Sequence, residues 1–142
     1  MSKMAVIYWS MTGNTEAMAN EIAAGATGAG AEVDVKTVSE LTVDQALAYD
    51  KLALGCPAMG AEVLEEAEFE PFFTDLEKRL AGKKVAIFGS YGWGDGQWMR
   101  EWQTRTENAN ANLFGEGFMV NEMPDDDGLA KCREFGAGFA AF

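Results

Sequence analysis

The chain has 142 residues, 48% apolar and 24% charged, which is the composition of one globular domain (1–142) large enough to bury a core. No apolar run approaches the roughly 18 residues of a membrane span, and the first strand starts almost at the amino terminus without room for a signal peptide, so a cytoplasmic protein is expected. A net charge of −12 argues against nucleic acid and anionic membranes as partners, and the absence of histidine removes Ser-His and Cys-His nucleophile pairs and histidine metal sites.

Lys3 to Trp9 is an apolar run that predicts a buried strand. It leads into Ser10-Met11-Thr12-Gly13-Asn14-Thr15 and then a helical stretch without lysine or arginine, with Met18, Ile22 and Ala26 on one face. Gly25 weakens that helix by about 1 kcal/mol against alanine. A strand ending in small hydroxylated residues and a glycine, then turning into a helix, aims backbone N–H groups and the positive end of a helix dipole at one spot. The hydroxyls of Ser10, Thr12 and Thr15 and the Asn14 amide add donors, none of them charged. Such a cradle suits one terminal phosphate monoester rather than a triphosphate, which wants a lysine and a metal. Taken alone, the hexapeptide also reads as a plain connecting turn.

Ala31 to Val38 predicts the second strand and Val43 to Ala48 a short helix. Leu52 to Cys56 is the third strand, followed by the loop Pro57-Ala58-Met59-Gly60-Ala61-Glu62. Phe69, Phe72, Phe73, Leu76 and Leu80 keep helical spacing. Lys83 to Gly89 is the fourth strand, and Ser90-Tyr91-Gly92-Trp93-Gly94-Asp95-Gly96 its loop. Trp98, Met99 and Trp102 mark the inner face of a helix after Gln97, and a fifth strand around Leu113 to Val120 is interrupted by Gly115 and Gly117. Asp125-Asp126-Asp127 reads as a solvated helix start, lacking the ligand spacing of a calcium loop. Cys132, Phe135, Gly136 and Phe139 then mark the last helix. The two cysteines, Cys56 and Cys132, lack the spacing of a zinc site or disulfide framework, and Cys56 reads as an inert buried thiol.

Strand alternating with helix gives an α/β, doubly wound, five-stranded parallel sheet with helices on both faces. The unusual loops follow strands one, three and four, whereas the loop after strand two is plain. That asymmetry fits the order 2-1-3-4-5, which places the three loops side by side at a topological switch point. Trp93, set among Gly92, Gly94 and Gly96, can be a packing lid, and Met59 a core filler. On neighbouring loops, however, they offer two polarizable side chains that could clamp a flat ring whose phosphate sits at Ser10 to Thr15. A ring, a sugar-like spacer and one phosphate describe FMN.

With these residues in view, the chain resembles a short-chain flavodoxin over essentially its whole length, most closely those of anaerobic bacteria. The family's Ser/Thr-x-Thr-Gly-Asn-Thr loop is matched by Ser10 to Thr15, its second flavin loop by Gly55 to Glu62 and its third by Phe88 to Gly94. The resemblance implies a non-enzymatic, low-potential one-electron carrier with non-covalent FMN, shuttling between semiquinone and hydroquinone in place of ferredoxin. It implies Met59 and Trp93 on opposite ring faces, with Glu62 accepting from ring N3–H. Backbone N–H groups near Gly92 to Gly94 would serve the pyrimidine oxygens, Ser90 would add to the phosphate site, and Tyr91 would pack without stacking. In the family the Gly60 peptide flips on one-electron reduction. Ala61 stands where an unflipped type II turn needs positive φ, which costs alanine roughly 1 to 2 kcal/mol, so Ala61 is expected to bias the turn toward the flipped or another non-type II form. Expected partners are basic-surfaced redox proteins in transient complexes with a monomer, although acidity also serves solubility. A flavin or quinone reductase and a phosphate-binding module are the competing functions, and no extra basic or catalytic cluster favours the first.

Overall fold

The computed structural model describes residues 3–11, 13–59, 63–92 and 94–142. In chain order its elements are β1 (Lys3–Tyr8), α1 (Asn14–Gly28), β2 (Glu32–Thr37), α2 (Val43–Leu47), β3 (Lys51–Gly55), α3 (Phe69–Glu77), β4 (Lys84–Tyr91), α4 (Gln97–Asn108), β5 (Asn112–Leu113), β6 (Phe118–Asn121) and α5 (Asp126–Ala141). All strand pairings are parallel, in the order β2-β1-β3-β4, with β5 and β6 lying in succession along the far edge of β4. This is the predicted 2-1-3-4-5 sheet, with its fifth position shared by two segments.

The break in the fifth strand has a physical cause. Val85 pairs with Leu113 but Phe88 pairs with Phe118, so the edge gains two residues relative to β4 between the segments. Gly115 takes φ 59°, and a Cβ on Gly117 would lie 2.3 Å from Met99 Sδ. The chain bulges at one glycine and admits α4 against the sheet at the other. Pairing of Ser90 with Val120 and Tyr91 with Asn121 also carries β4 two residues beyond the expected end at Gly89. Ser90 and Tyr91 are therefore strand residues, where a loop was expected.

Central strands buried on both faces need continuous apolar runs, and each strand feeds two cores. Ala5, Ile7, Leu52, Leu54, Val85 and Ile87 face α3 and α4, where Phe69 and Phe73 meet the Trp102 ring edge-on at 5.4 and 6.0 Å. Each of these large side chains contributes about 1.5–3 kcal/mol through burial. Leu80 is fully buried as predicted, although α3 ends at Glu77. Arg105 of α4 fastens the outside of this layer, forking onto Glu70 at 2.7 and 2.9 Å and reaching Glu77 at 2.9 Å, with its guanidinium 4.9 Å from the Phe73 ring centre.

Met4, Val6, Tyr8, Ala53, Ala86 and Phe88 face the opposite core, under α1 and α5. These two helices touch through their backbones. A Cβ on Gly25 would fall 2.0 Å from the Arg133 carbonyl oxygen, and one on Gly136 would fall 1.9 Å from that of Ile22. Gly25 lowers helix propensity, but here it is what lets the second core close. At the amino end of α5 the Asp125 carboxylate accepts from Gly128 N–H at 2.8 Å, the helix cap read from the acidic run. At the other end the carbonyls of Phe139 and Ala140 accept from Lys51 Nζ at 3.0 and 2.6 Å.

Candidate functional site

The carboxyl ends of β1, β3 and β4 open onto one cleft of about 260 Å³. Its walls come from Ser10, Met11, Asn14 and Thr15, from Pro57, Ala58 and Met59, and from Ser90, Tyr91 and Gly92, with Glu122 closing one side. Three loops distant in sequence are thereby brought together. Thr12, Gly60, Ala61, Glu62 and Trp93 lie outside the described residues.

In the first loop the chain enters α1 through Gly13, whose φ of 94° suits glycine alone among common choices. Asn14 and Thr15 form the first helical turn. The Ser10 hydroxyl oxygen accepts from Gly13 N–H at 3.2 Å and from Glu16 N–H at 3.3 Å, acting as a remote cap while its own O–H keeps a donor to offer. Thr15 is 1% exposed, and its hydroxyl has no hydrogen-bond partner among the described residues. A buried hydroxyl left unmatched costs about 1–3 kcal/mol, so this one calls for an acceptor supplied from outside. Met11, by contrast, is 67% exposed at the rim. Beneath the loop, burial and then the 2.8 Å bond to Glu16 push the Tyr8 phenol up to about 12, so Tyr8 remains a neutral donor.

The second loop is held from both ends. Trp98 Nε1–H donates to the Cys56 carbonyl at 3.2 Å, and Ala58 N–H donates to the Ser90 carbonyl at 3.0 Å. Met59 and Val63 donate N–H bonds to each other's carbonyls at 2.9 and 3.1 Å. The anchor for the descending arm is Glu65, 6% exposed, whose carboxylate accepts from Ala67, Glu68 and Phe69 N–H at 2.7, 2.8 and 2.8 Å. Burial works to raise its pKa, but those three N–H bonds outweigh it and hold the carboxyl below the usual range. Cys56 is fully buried and burial pushes its thiol well up, which fits the inert reading.

In the third loop Ser90 is 3% exposed and donates its hydroxyl to the Glu122 carbonyl at 2.7 Å. Its proton is engaged in tying β4 to the end of β6, so as the structure stands Ser90 lines the cleft without a free donor. Tyr91 packs on Trp98 with ring centres 5.6 Å apart and tilted by 46°, the packing role expected of it. Gly92 lies at the cleft wall, and Gly94, at φ 89°, shapes the loop without lining the cleft.

Two residues were not anticipated. Asn121 Nδ2 donates to the carbonyls of Tyr91 and Gly92 at 3.2 and 3.4 Å, and Glu122 N–H donates to Tyr91 at 2.7 Å. Glu122 adopts φ 57°, an uncommon conformation for a side-chain-bearing residue. The available signal was slight: an asparagine, a residue given to bonding nearby backbone, ends the fifth strand.

The donor set is neutral, sits at a helix amino terminus and contains an unmatched buried hydroxyl. It fits the phosphate of FMN, with the apolar walls of Met59, Ala58 and Tyr91 adjoining.

A family model described as Flavodoxin matches residues 6–136. The chain is 52% identical over 135 residues to the flavodoxin of Megasphaera elsdenii, covering 95% of this chain and 96% of that protein. It is 47% identical over 137 residues to the flavodoxin of Clostridium beijerinckii, covering 96% and 99%. The solution structure of two-electron reduced Megasphaera elsdenii flavodoxin superposes with a TM-score of 0.89 at 50% identity, covering 98% of this chain and 99% of that one.

Proposed function

The chain belongs to the flavodoxin family of FMN-binding electron carriers, and from that premise we propose that it is a low-potential one-electron carrier, working as a cytoplasmic monomer in place of ferredoxin. Its phosphate site is Ser10, Thr12, Gly13, Asn14 and Thr15, and the observation that carries this reading is the buried, unmatched Thr15 hydroxyl in a cradle of neutral donors. As the family resemblance implies, Met59 and Trp93 would flank the ring, Glu62 would accept a hydrogen bond from it, and the backbone of Gly92 to Gly94 would hold its pyrimidine edge. When bound, FMN supplies one-electron redox chemistry.

The chain's own charges set the direction of the potential. A protein of net charge −12, with Glu122 closing the cleft, disfavours added negative charge in a partly apolar site, which makes the fully reduced protein a strong donor. The same acidity favours brief encounters with redox proteins that present a basic surface.

Anaerobic stepwise reduction of the FMN-loaded protein, followed by visible absorption and paramagnetic resonance, tests the reading. An abundant blue, paramagnetic one-electron form between the yellow and colourless ends is expected. Direct passage from yellow to colourless without a radical would indicate two-electron reductase chemistry, and failure to take up FMN would leave only a phosphate-binding module.

A further inference from the structure

We propose that the free edge of β6, with the groove beside it, is a docking strand for an extended basic segment of a partner protein. The inference rests on the reading of the chain as a carrier for basic partners and locates where such a partner engages. Glu122 N–H donates inward to Tyr91 of β4 at 2.7 Å, and in a parallel ladder alternate residues bond to the same side. The N–H and C=O groups of Phe118 and Val120 therefore point to β4, while those of Met119 and Asn121 point away. Among the described residues no strand pairs with that outer edge. The Asn121 side chain is engaged inward on Tyr91 and Gly92, so it does not compete for the outward groups.

Alongside the edge runs a groove of about 360 Å³ that reaches the first turns of α5. Met119 and Met123, 37% and 57% exposed, give it an apolar and adaptable lining. Its charged residues are Asp125, Asp127 and Lys131, a net negative set that repels an acidic segment and attracts a basic one. An added strand would gain main-chain hydrogen bonds from the edge and side-chain selection from the groove. Glu122, next in sequence to the edge, lines the cofactor cleft, so a segment seated here holds its parent protein beside the flavin.

The test uses isotope-labelled, FMN-loaded full-length protein and a short synthetic peptide of alternating lysine and valine. At a peptide concentration about ten times its Kd, the amides of Met119 and Asn121 should shift and their hydrogen exchange should slow by about tenfold. Met119→Pro removes an outward N–H without breaking a bond to β4 and should abolish the protection. Met119→Lys with Met123→Lys, which leaves the backbone intact, should weaken peptide binding at least as much while FMN binding is kept. Absence of binding, or shifts confined to the loops around the cleft, would overturn the proposal. Protection of the same amides without peptide, rising with protein concentration, would overturn it in favour of edge pairing between two copies. None of these outcomes depends on how the flavin titrates, so failure here leaves the carrier reading to its own test.

Discussion

Thr15 and Glu65 carry two different kinds of buried polarity. The Thr15 hydroxyl lacks a partner among the described residues, so it favours whatever brings an acceptor. Thr15→Val keeps the shape and deletes the donor. A hydrogen bond to a charged group is worth about 1.5–3 kcal/mol, so FMN should bind some ten- to hundredfold more weakly. Riboflavin, which has no phosphate, should bind both proteins alike; a matching loss with riboflavin would place Thr15 elsewhere than at the phosphate. Glu65 is already satisfied by three N–H groups that keep its folded pKa below the ordinary value near about 4.3. The unfolded chain thus takes up that proton at a higher pH than the folded one. The stabilisation is complete above the unfolded pKa and fades as pH falls through the folded value. Denaturant midpoints of the parent and Glu65→Gln should differ by about 1–2 kcal/mol at neutral pH and draw together below about pH 4; a gap that ignores pH would contradict this role. Thr15 was legible in the sequence because its neighbours along the chain define the cradle. Glu65 and Glu122 were not, because their roles depend on helix ends and strands that only the folded chain brings near.

Elements built from local periodicity were the easiest to read, as α3 shows: Phe69, Phe72, Phe73 and Leu76 all turn inward. The fifth strand was harder. Its glycines were visible, but the two-residue slip against β4 depends on where Met99 of α4 presses, which no local pattern records. Gly25 separates local from tertiary reasoning most sharply. Helix propensity alone has Gly25→Ala gaining about 1 kcal/mol. The added methyl would meet the Arg133 carbonyl at 2.0 Å, backbone against backbone. Overpacking of that kind costs about 1–3 kcal/mol, and the helices have no flexible side chain to yield there. A lower midpoint of thermal or denaturant unfolding is therefore expected for Gly25→Ala, and a higher one would show that α1 and α5 can separate slightly at no cost.

Across the whole molecule the strand order was inferred from which loops carried unusual residues, and it held because ligand-binding loops in parallel sheets gather where the winding reverses. Net charge was equally plain in the sequence, and it governs encounters. With 23 acidic against 11 basic residues, electron delivery to a basic acceptor should slow as salt is raised, since charges are screened beyond about 8 Å at physiological ionic strength. Stopped-flow rates that stay flat with added salt would remove electrostatics from docking. The contact between α1 and α5 also bears on how the protein emerges from the ribosome. All three cleft loops, and every strand of the sheet, are synthesised before α5, yet the core that Met4, Val6, Met18 and Ile22 share with Cys132 and Phe139 is completed only when that helix arrives. A chain ending near residue 123 would hold all three cleft loops and still lack the Cys132 and Phe139 side of that core, so the flank of the sheet opposite α3 and α4 is expected to close only with a helix that, among the described residues, contributes nothing to the cleft lining.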